Sequence, residues 1–311
     1  MAVAGAGATW LTRIQTDGLE SHPRPASGFA EALDRFEALA GRDGPEVNPV
    51  CRSQLLAHGA RARRSIVFIH GITNCPAQFE PLGRLFFERG YNVLLPRMPR
   101  HGYADRKTSA LSSLTVEELR DFADEVADIA GGLGEETMIA GLSAGGVLAA
   151  WVTQNRPEIA RSVLIAPSLG IGRYRLVLQL LIAGALLHAP NIQTQKFRSF
   201  SDGPPYSYLG YSSRAIGEVL RLGLATARAA LVEPPAVQDL LVITNGADAA
   251  VNNNATRQLV SLWQSKGLER VEYYDFPRTA GLIHDLIDVH QPQGRTSLVY
   301  PRLIDLIDRP G

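Results

Sequence analysis

Short apolar runs alternate with helical patterns from residue 65 onward, and this alternation limits the fold more than any other feature of the chain. Residues 65–69, Ser-Ile-Val-Phe-Ile, are a β-branched, uninterrupted run of the kind found in strands covered on both faces. Further strands are predicted at 91–95, 137–140, 162–166, 240–244 and 271–275. Helical patterns fall between and after them, at 77–89, 116–129, 145–155, 254–266 and 297–308. The one at 116–129 carries Glu117, Glu118 and Asp121 in its first turns, and Gly131-Gly132 follows its end. Strands joined by helices imply crossover connections. The pattern therefore predicts an α/β fold with a mostly parallel central sheet and helices on both faces.

The rhythm breaks once. Residues 169–235 hold two helical stretches, 174–188 and 213–231, on either side of a turn-rich segment at 201–206. This reads as a helical insertion over one end of the sheet, and ligands of parallel sheets bind at such an end. The expected organisation is a lead-in at 1–46 with a short helix at 30–40, a core made of 47–168 and 236–311, and the insertion at 169–235. A length of 311 residues would allow two domains at about 150 residues each, but single α/β domains reach this size.

Charge and composition exclude several classes. Lys+Arg and Asp+Glu are both 31, so the net charge is zero, and no nucleic-acid partner held by bulk electrostatics is expected. The longest apolar run, 176–189, falls short of the roughly 20 residues a bilayer requires, so no integral membrane association is expected. The first basic residue is Arg13 and no strong apolar stretch precedes it, which argues against a secretory signal and for a cytoplasmic location. Cys51 and Cys75 make no disulfide framework. A hairpin of 49–57 with 65–70 would bring the two together, but in a cytoplasmic protein two buried thiols are the expectation.

The chemistry is carried by Gly141-Leu142-Ser143-Ala144-Gly145, which follows one predicted strand and opens the next predicted helix. A turn this tight leaves no room for side chains at its flanks, hence the glycines. It lifts the serine oxygen above the sheet, with the positive end of the new helix behind it. A serine hydroxyl at neutral pH needs a base. His284, in the loop after the last predicted strand, is the candidate base, and His290 the fallback. Asp248, just past the strand at 240–244, is the candidate acid, with Asp275, Asp285 and Asp288 as rivals. His70-Gly71-Ile72-Thr73 follows the first long strand and would bring a backbone N–H to face the serine. The amides of Ile72 and Ala144 are the candidate oxyanion donors, and His70 is read as a brace for its loop.

With these pieces in place, the chain resembles the α/β-hydrolase superfamily, and most of all its bacterial carboxylesterases and monoacylglycerol-lipase-like serine hydrolases. The matching segments are His70-Gly71-Ile72-Thr73, Gly141 through Gly146, Gly246 through Val251 and His284-Asp285, in the family's order from about residue 47 to the C-terminus. The segment Pro96 through Gly102 is similar to a Pro-Gly-His-Gly loop in many members, but has Arg97 and Arg100 where they carry Asp and Gly. The lead-in matches nothing in the family. The resemblance implies a triad of Ser143, Asp248 and His284, an oxyanion hole from Ile72 and Ala144, a helical cap at 169–235, and no metal or organic cofactor. The expected activity is hydrolysis of short-to-medium, neutral acyl esters. The same triad on thioester, amide or lactone bonds is the alternative, and a non-catalytic binding protein of this fold is a third. His101, Leu180, His188 and Tyr206 are the expected substrate contacts.

Overall fold

The computed structural model describes residues 14–172, 174, 176–194 and 203–309. Seven strands form one sheet: β1 (Gln54–Leu56), β2 (Ala62–Ile69), β3 (Tyr91–Leu95), β4 (Gly134–Leu142), β5 (Arg161–Ile165), β6 (Asp239–Asn245) and β7 (Arg270–Phe276). Their order is β1-β3-β2-β4-β5-β6-β7. Every pair is parallel except β1 with β3, in register Leu55↔Leu94. The helices are α1 (Phe29–Ala40), α2 (Glu80–Phe87), α3 (Val116–Leu133), α4 (Ala144–Asn155), α5 (Leu176–His188), α6 (Ser213–Val232), α7 (Asn253–Ser265) and α8 (Thr296–Ile307).

Period-two alternation in the strands feeds two separate cores. Val67, Ile69, Leu240 and Val242 face one core, built with α1, α3, α4, α6 and α7. Ile66, Phe68, Leu241 and Ile243 face the other, built with α2 and α8. The central strands are apolar throughout because both of their faces are covered. Helix α4 is buried all round, including Val147, Leu148 and Trp151, and it carries the candidate nucleophile at its N-terminus. Helix α3 starts on a capping box in which the Thr115 hydroxyl accepts from the Glu118 amide and the Glu118 carboxylate accepts from the Thr115 amide.

The lead-in has a definite seat from residue 14 onward. Ser21 Oγ and the His22 amide donate to Asp124 (both 2.6 Å), and the Arg24 amide donates to Asp128 (2.8 Å). The same two carboxylates meet the fully buried Arg156, which also pairs with Glu158. A guanidinium out of water needs this many partners. Ile14 packs with Ala183, Leu187 and Leu220 of α5 and α6. The expectations for residues 1–13, and for Ser201 and Asp202 of the turn-rich segment, lie outside the described residues.

Two sequence expectations change here. Residues 54–56 pair with β3, not with β2 as a hairpin. Cys51 and Cys75 are nevertheless joined: their Cα atoms are 5.2 Å apart, the sulfurs are bonded and both residues are fully buried. The bond closes a loop of sequence separation 24 and anchors the segment after His70. The two buried thiols expected from the sequence are thus a buried disulfide.

Candidate active site

The turn between β4 and α4 is closed by contacts that only glycine permits. A Cβ at Gly145 would lie 2.1 Å from the carbonyl oxygen of Ile69 in β2, and one at Gly141 would lie 2.1 Å from that of Gly145. A Cβ at Gly146 would come within 2.9 Å of Pro167. Strand, helix and neighbouring strand end therefore meet backbone to backbone. The residue at the apex, Ser143, has φ 59° and ψ −113°, an arrangement that L-residues avoid and that surrounding packing must hold. Ser143 is the N-cap residue of α4 and lines a cavity.

Four loops gather around the Ser143 oxygen. The loop after β7 brings His284, whose Nε2 lies 2.9 Å from Ser143 Oγ. The loop after β6 brings Asp248, whose Oδ2 lies 2.6 Å from His284 Nδ1. Asp248 is buried and its other oxygen accepts from the amides of Ala250 (2.8 Å) and Val251 (3.4 Å). Burial alone would raise the Asp248 pKa, but the His284 hydrogen bond and charge, with those two amides, hold it below the ordinary carboxylate value. Burial alone would lower the His284 pKa, yet the hydrogen bond and charge of Asp248, aided by Asp285, raise it. An ionised aspartate thus fixes the imidazole with its proton on Nδ1 and its Nε2 lone pair toward the serine.

The loop after β2 faces the serine from the other side. His70 is buried, its Nδ1 donating to the Gly71 carbonyl (2.9 Å) and its Nε2 accepting from the Met98 amide (3.1 Å). Burial, with the charge of the adjacent His101, holds its pKa well below the ordinary value, so it is a neutral brace. Gln78 spans two loops: its Oε1 accepts from the Gly71 amide (2.8 Å) and its Nε2 donates to Asp285 (2.9 Å), next to His284. Among the described residues no acceptor is taken up by the amides of Ile72 or Ala144. Both residues line the cavity beside Ser143.

That cavity has a volume of about 1020 Å³. Ser143 and His284 lie in its wall with Ile182 and Leu186 of α5 and Ile216 and Val219 of α6. Thr73, Asn74, Asp285 and Gln291 give it one polar end. None of the four substrate contacts expected from the sequence lies in this wall. His101 is buried behind it, its ring packed on that of His70, and burial lowers its pKa to about 4. Leu180 lies on another face of α5, and His188 is exposed at the C-terminal end of that helix. Tyr206 is buried with its hydroxyl donated to Asp288 (2.8 Å). Arg97 pairs with Asp43 and Arg100 with Glu118, so neither arginine of that loop enters the cavity.

The rival acid and base positions are engaged elsewhere. Asp275 accepts from Thr244 (2.8 Å), and Asp285 from Gln78 and Gln291 (both 2.9 Å). His290 lies 3.4 Å from Asp288. One residue with no motif of its own does reach the serine: Ser168, just past β5, has its Oγ 2.8 Å from Ser143 Oγ. Gln78 and Ser168 carry no sequence signal, because each is a single polar residue whose partner is set by tertiary contact.

The described residues contain no cluster of His, Cys, Asp or Glu able to hold a metal ion. No helix of the described residues is long and apolar enough to cross a membrane. No curated protein matches the sequence significantly. Solved structures do match in fold. A metagenome-derived lipolytic enzyme aligns with 84% of this chain and 99% of its own, at TM-score 0.59 and 19% identity. The monoacylglycerol lipase of Paleococcus ferrophilus aligns with 82% of this chain and 97% of its own, at 0.59 and 16%. A soluble variant of the monoglyceride lipase of Saccharomyces cerevisiae aligns with 83% and 90%, at 0.59 and 14%. At these identities the likeness is one of fold. The sequence itself is matched over residues 66–288, a span that holds the strand–serine–helix turn and both of its partner loops, and the chain accordingly belongs to the alpha/beta hydrolase family.

Proposed function

We propose that this protein is a serine carboxylester hydrolase acting on neutral acyl esters of short to medium chain length. The observation that carries the reading is the unbroken chain Asp248–His284–Ser143, at 2.6 and 2.9 Å, opening on a largely apolar cavity. His284 Nε2 takes the Ser143 proton as Oγ attacks the acyl carbonyl. The oxyanion is received by the amides of Ile72 and Ala144, which face the same space. His284 then returns the proton to the leaving alcohol, activates a water and releases the acid from the acyl-enzyme. Ile182, Leu186, Ile216 and Val219 supply the wall for the acyl chain, and the described residues of 169–235 act as the cap over it. The polar end at Thr73, Asn74 and Gln291 suits the alcohol part. Three solved relatives of the same fold are described as lipolytic or monoacylglycerol-cleaving enzymes, in keeping with this chemistry. A buried disulfide persists best in oxidising surroundings, so the Cys51–Cys75 bond favours such a compartment over the cytoplasm. The test is a panel of p-nitrophenyl esters from acetate to palmitate beside a thioester and an anilide. Turnover of butyrate and octanoate, lost in Ser143→Ala, is expected. Cleavage of the anilide with no action on any ester would overturn the ester assignment.

A further inference from the structure

Among the described residues, Ser168 is the one group besides His284 whose side chain is in hydrogen-bond contact with the Ser143 oxygen, at 2.8 Å. Its position is built. Ala166 has φ 40° while its amide donates to Ile243 (2.8 Å), Pro167 lies against Gly146, and the Ser168 amide donates to the Ser143 carbonyl (3.0 Å). The direction of the bond follows from proton counting. His284 Nδ1 carries the proton shared with Asp248, so Nε2 accepts from Ser143. Ser143 has one proton and it is committed. The Ser168 hydroxyl therefore donates to Ser143 Oγ. Among the described residues that hydroxyl has no other partner, and Ser168 lines the cavity.

We propose that Ser168 is a further catalytic residue, acting in deacylation as a hydrogen-bond donor to Ser143 Oγ while that oxygen leaves. The inference rests on the serine-hydrolase reading above. In the free enzyme a donor on Oγ occupies a lone pair and gives no help to attack. In the acyl-enzyme Oγ is an ester oxygen, a poor acceptor. When the second tetrahedral intermediate collapses, the acyl carbon–Oγ bond breaks and its electron pair goes to Oγ. The proton comes from His284 Nε2, and the carboxylic acid departs. Negative charge gathers on Oγ in that step, and the Ser168 O–H, which keeps its own proton, meets it at the moment of need. An interaction stronger in this transition state than in the state before it speeds the step selectively.

The experiment is stopped-flow turnover of p-nitrophenyl butyrate by the wild type, Ser168→Ala and the hydroxyl-preserving Ser168→Thr, with intact-mass detection of butyryl-enzyme. Melting temperature and the rate of fluorophosphonate labelling at Ser143 report separately on folding and on attack by the serine. Expected for Ser168→Ala is labelling at the wild-type rate, a full burst with accumulated butyryl-enzyme, and kcat down about tenfold, the size of one hydrogen bond. KM falls with it and kcat/KM stays within about twofold. Ser168→Thr restores kcat. If kcat and kcat/KM fall together with KM unchanged, or neither changes, or no acyl-enzyme accumulates, the proposal is overturned. A wild-type protein that takes no label overturns the serine-hydrolase reading itself, a result distinct from any of these.

Discussion

Gly145→Ala places a single methyl group where the structure has room for none. The new Cβ would lie 2.1 Å from the carbonyl oxygen of Ile69 and 2.7 Å from that of His70. Tolerable contact begins near 3.0 Å, so the start of α4 and the end of β2 must separate by at least about 0.9 Å. Those two segments carry the two amides proposed to receive the oxyanion, Ala144 directly and Ile72 three residues beyond Ile69. Moving one against the other by about 1 Å costs on the order of 100-fold in rate. The same overpacking costs about 1–3 kcal/mol of stability, which a chain of 311 residues tolerates. The assay is kcat/KM for p-nitrophenyl butyrate together with thermal unfolding. Gly131→Ala in α3 is the control, because its Cβ meets only Pro25 at 3.6 Å and exchanges glycine for a better helix former. The expected pattern is a folded Gly145→Ala protein with kcat/KM down about 100-fold and a control at full activity. A Gly145→Ala enzyme within threefold of wild type would refute the reasoning, since the backbone contact at this turn would then have no bearing on the reacting geometry.

Three further outcomes are expected. The raised His284 pKa means that the imidazole protonates, and loses its ability to take the Ser143 proton, at a higher pH than an ordinary histidine. Thus kcat/KM falls as pH drops through that value. Asp248→Asn moves this acid limb to lower pH while cutting the rate by roughly 10³–10⁴, as pH–rate profiles of the two proteins will show. Replacing both cysteines by serine removes a loop constraint of separation 24, worth about 3.5 kcal/mol in the chain-entropy treatment, and lowers the melting temperature by about 5 °C. Intact mass of the alkylated wild type, with and without prior reduction, checks the bond itself. Ile216→Trp fills the cavity beside α6 and shifts preference toward shorter chains, read as an octanoate-to-butyrate ratio of kcat/KM lowered about tenfold.

Much of the architecture is legible in the chain because the long strands are covered on both faces, so their apolar runs stand out without partners. The expectation at 91–95 coincides with β3, and those at 137–140 and 240–244 fall within β4 and β6. Strand β1 lies within the 49–57 segment, but its pairing is not legible. It is three half-buried residues whose strand character comes from pairing with Leu94 and its neighbours. The Ser143, Asp248 and His284 positions follow from elements that are readable in order, and the structure brings the three together. The cavity wall is not legible in the sequence, for a definite reason. Helix α5 is apolar almost throughout, so its sequence has no polar face to show which side meets solvent. Ile182 and Leu186 face the cavity while Leu180 does not, a distinction made only by packing against α6. Tyr206 is outside the cavity lining, its hydroxyl drawn to the buried Asp288.

Labelling with a fluorophosphonate, followed by peptide mapping and parallel loss of ester turnover, tests the central claim most directly. The account predicts one equivalent of label per chain, carried by Ser143, with turnover of p-nitrophenyl butyrate falling in proportion to the label. Label on another residue, or full turnover after Ser143 is blocked, would contradict it.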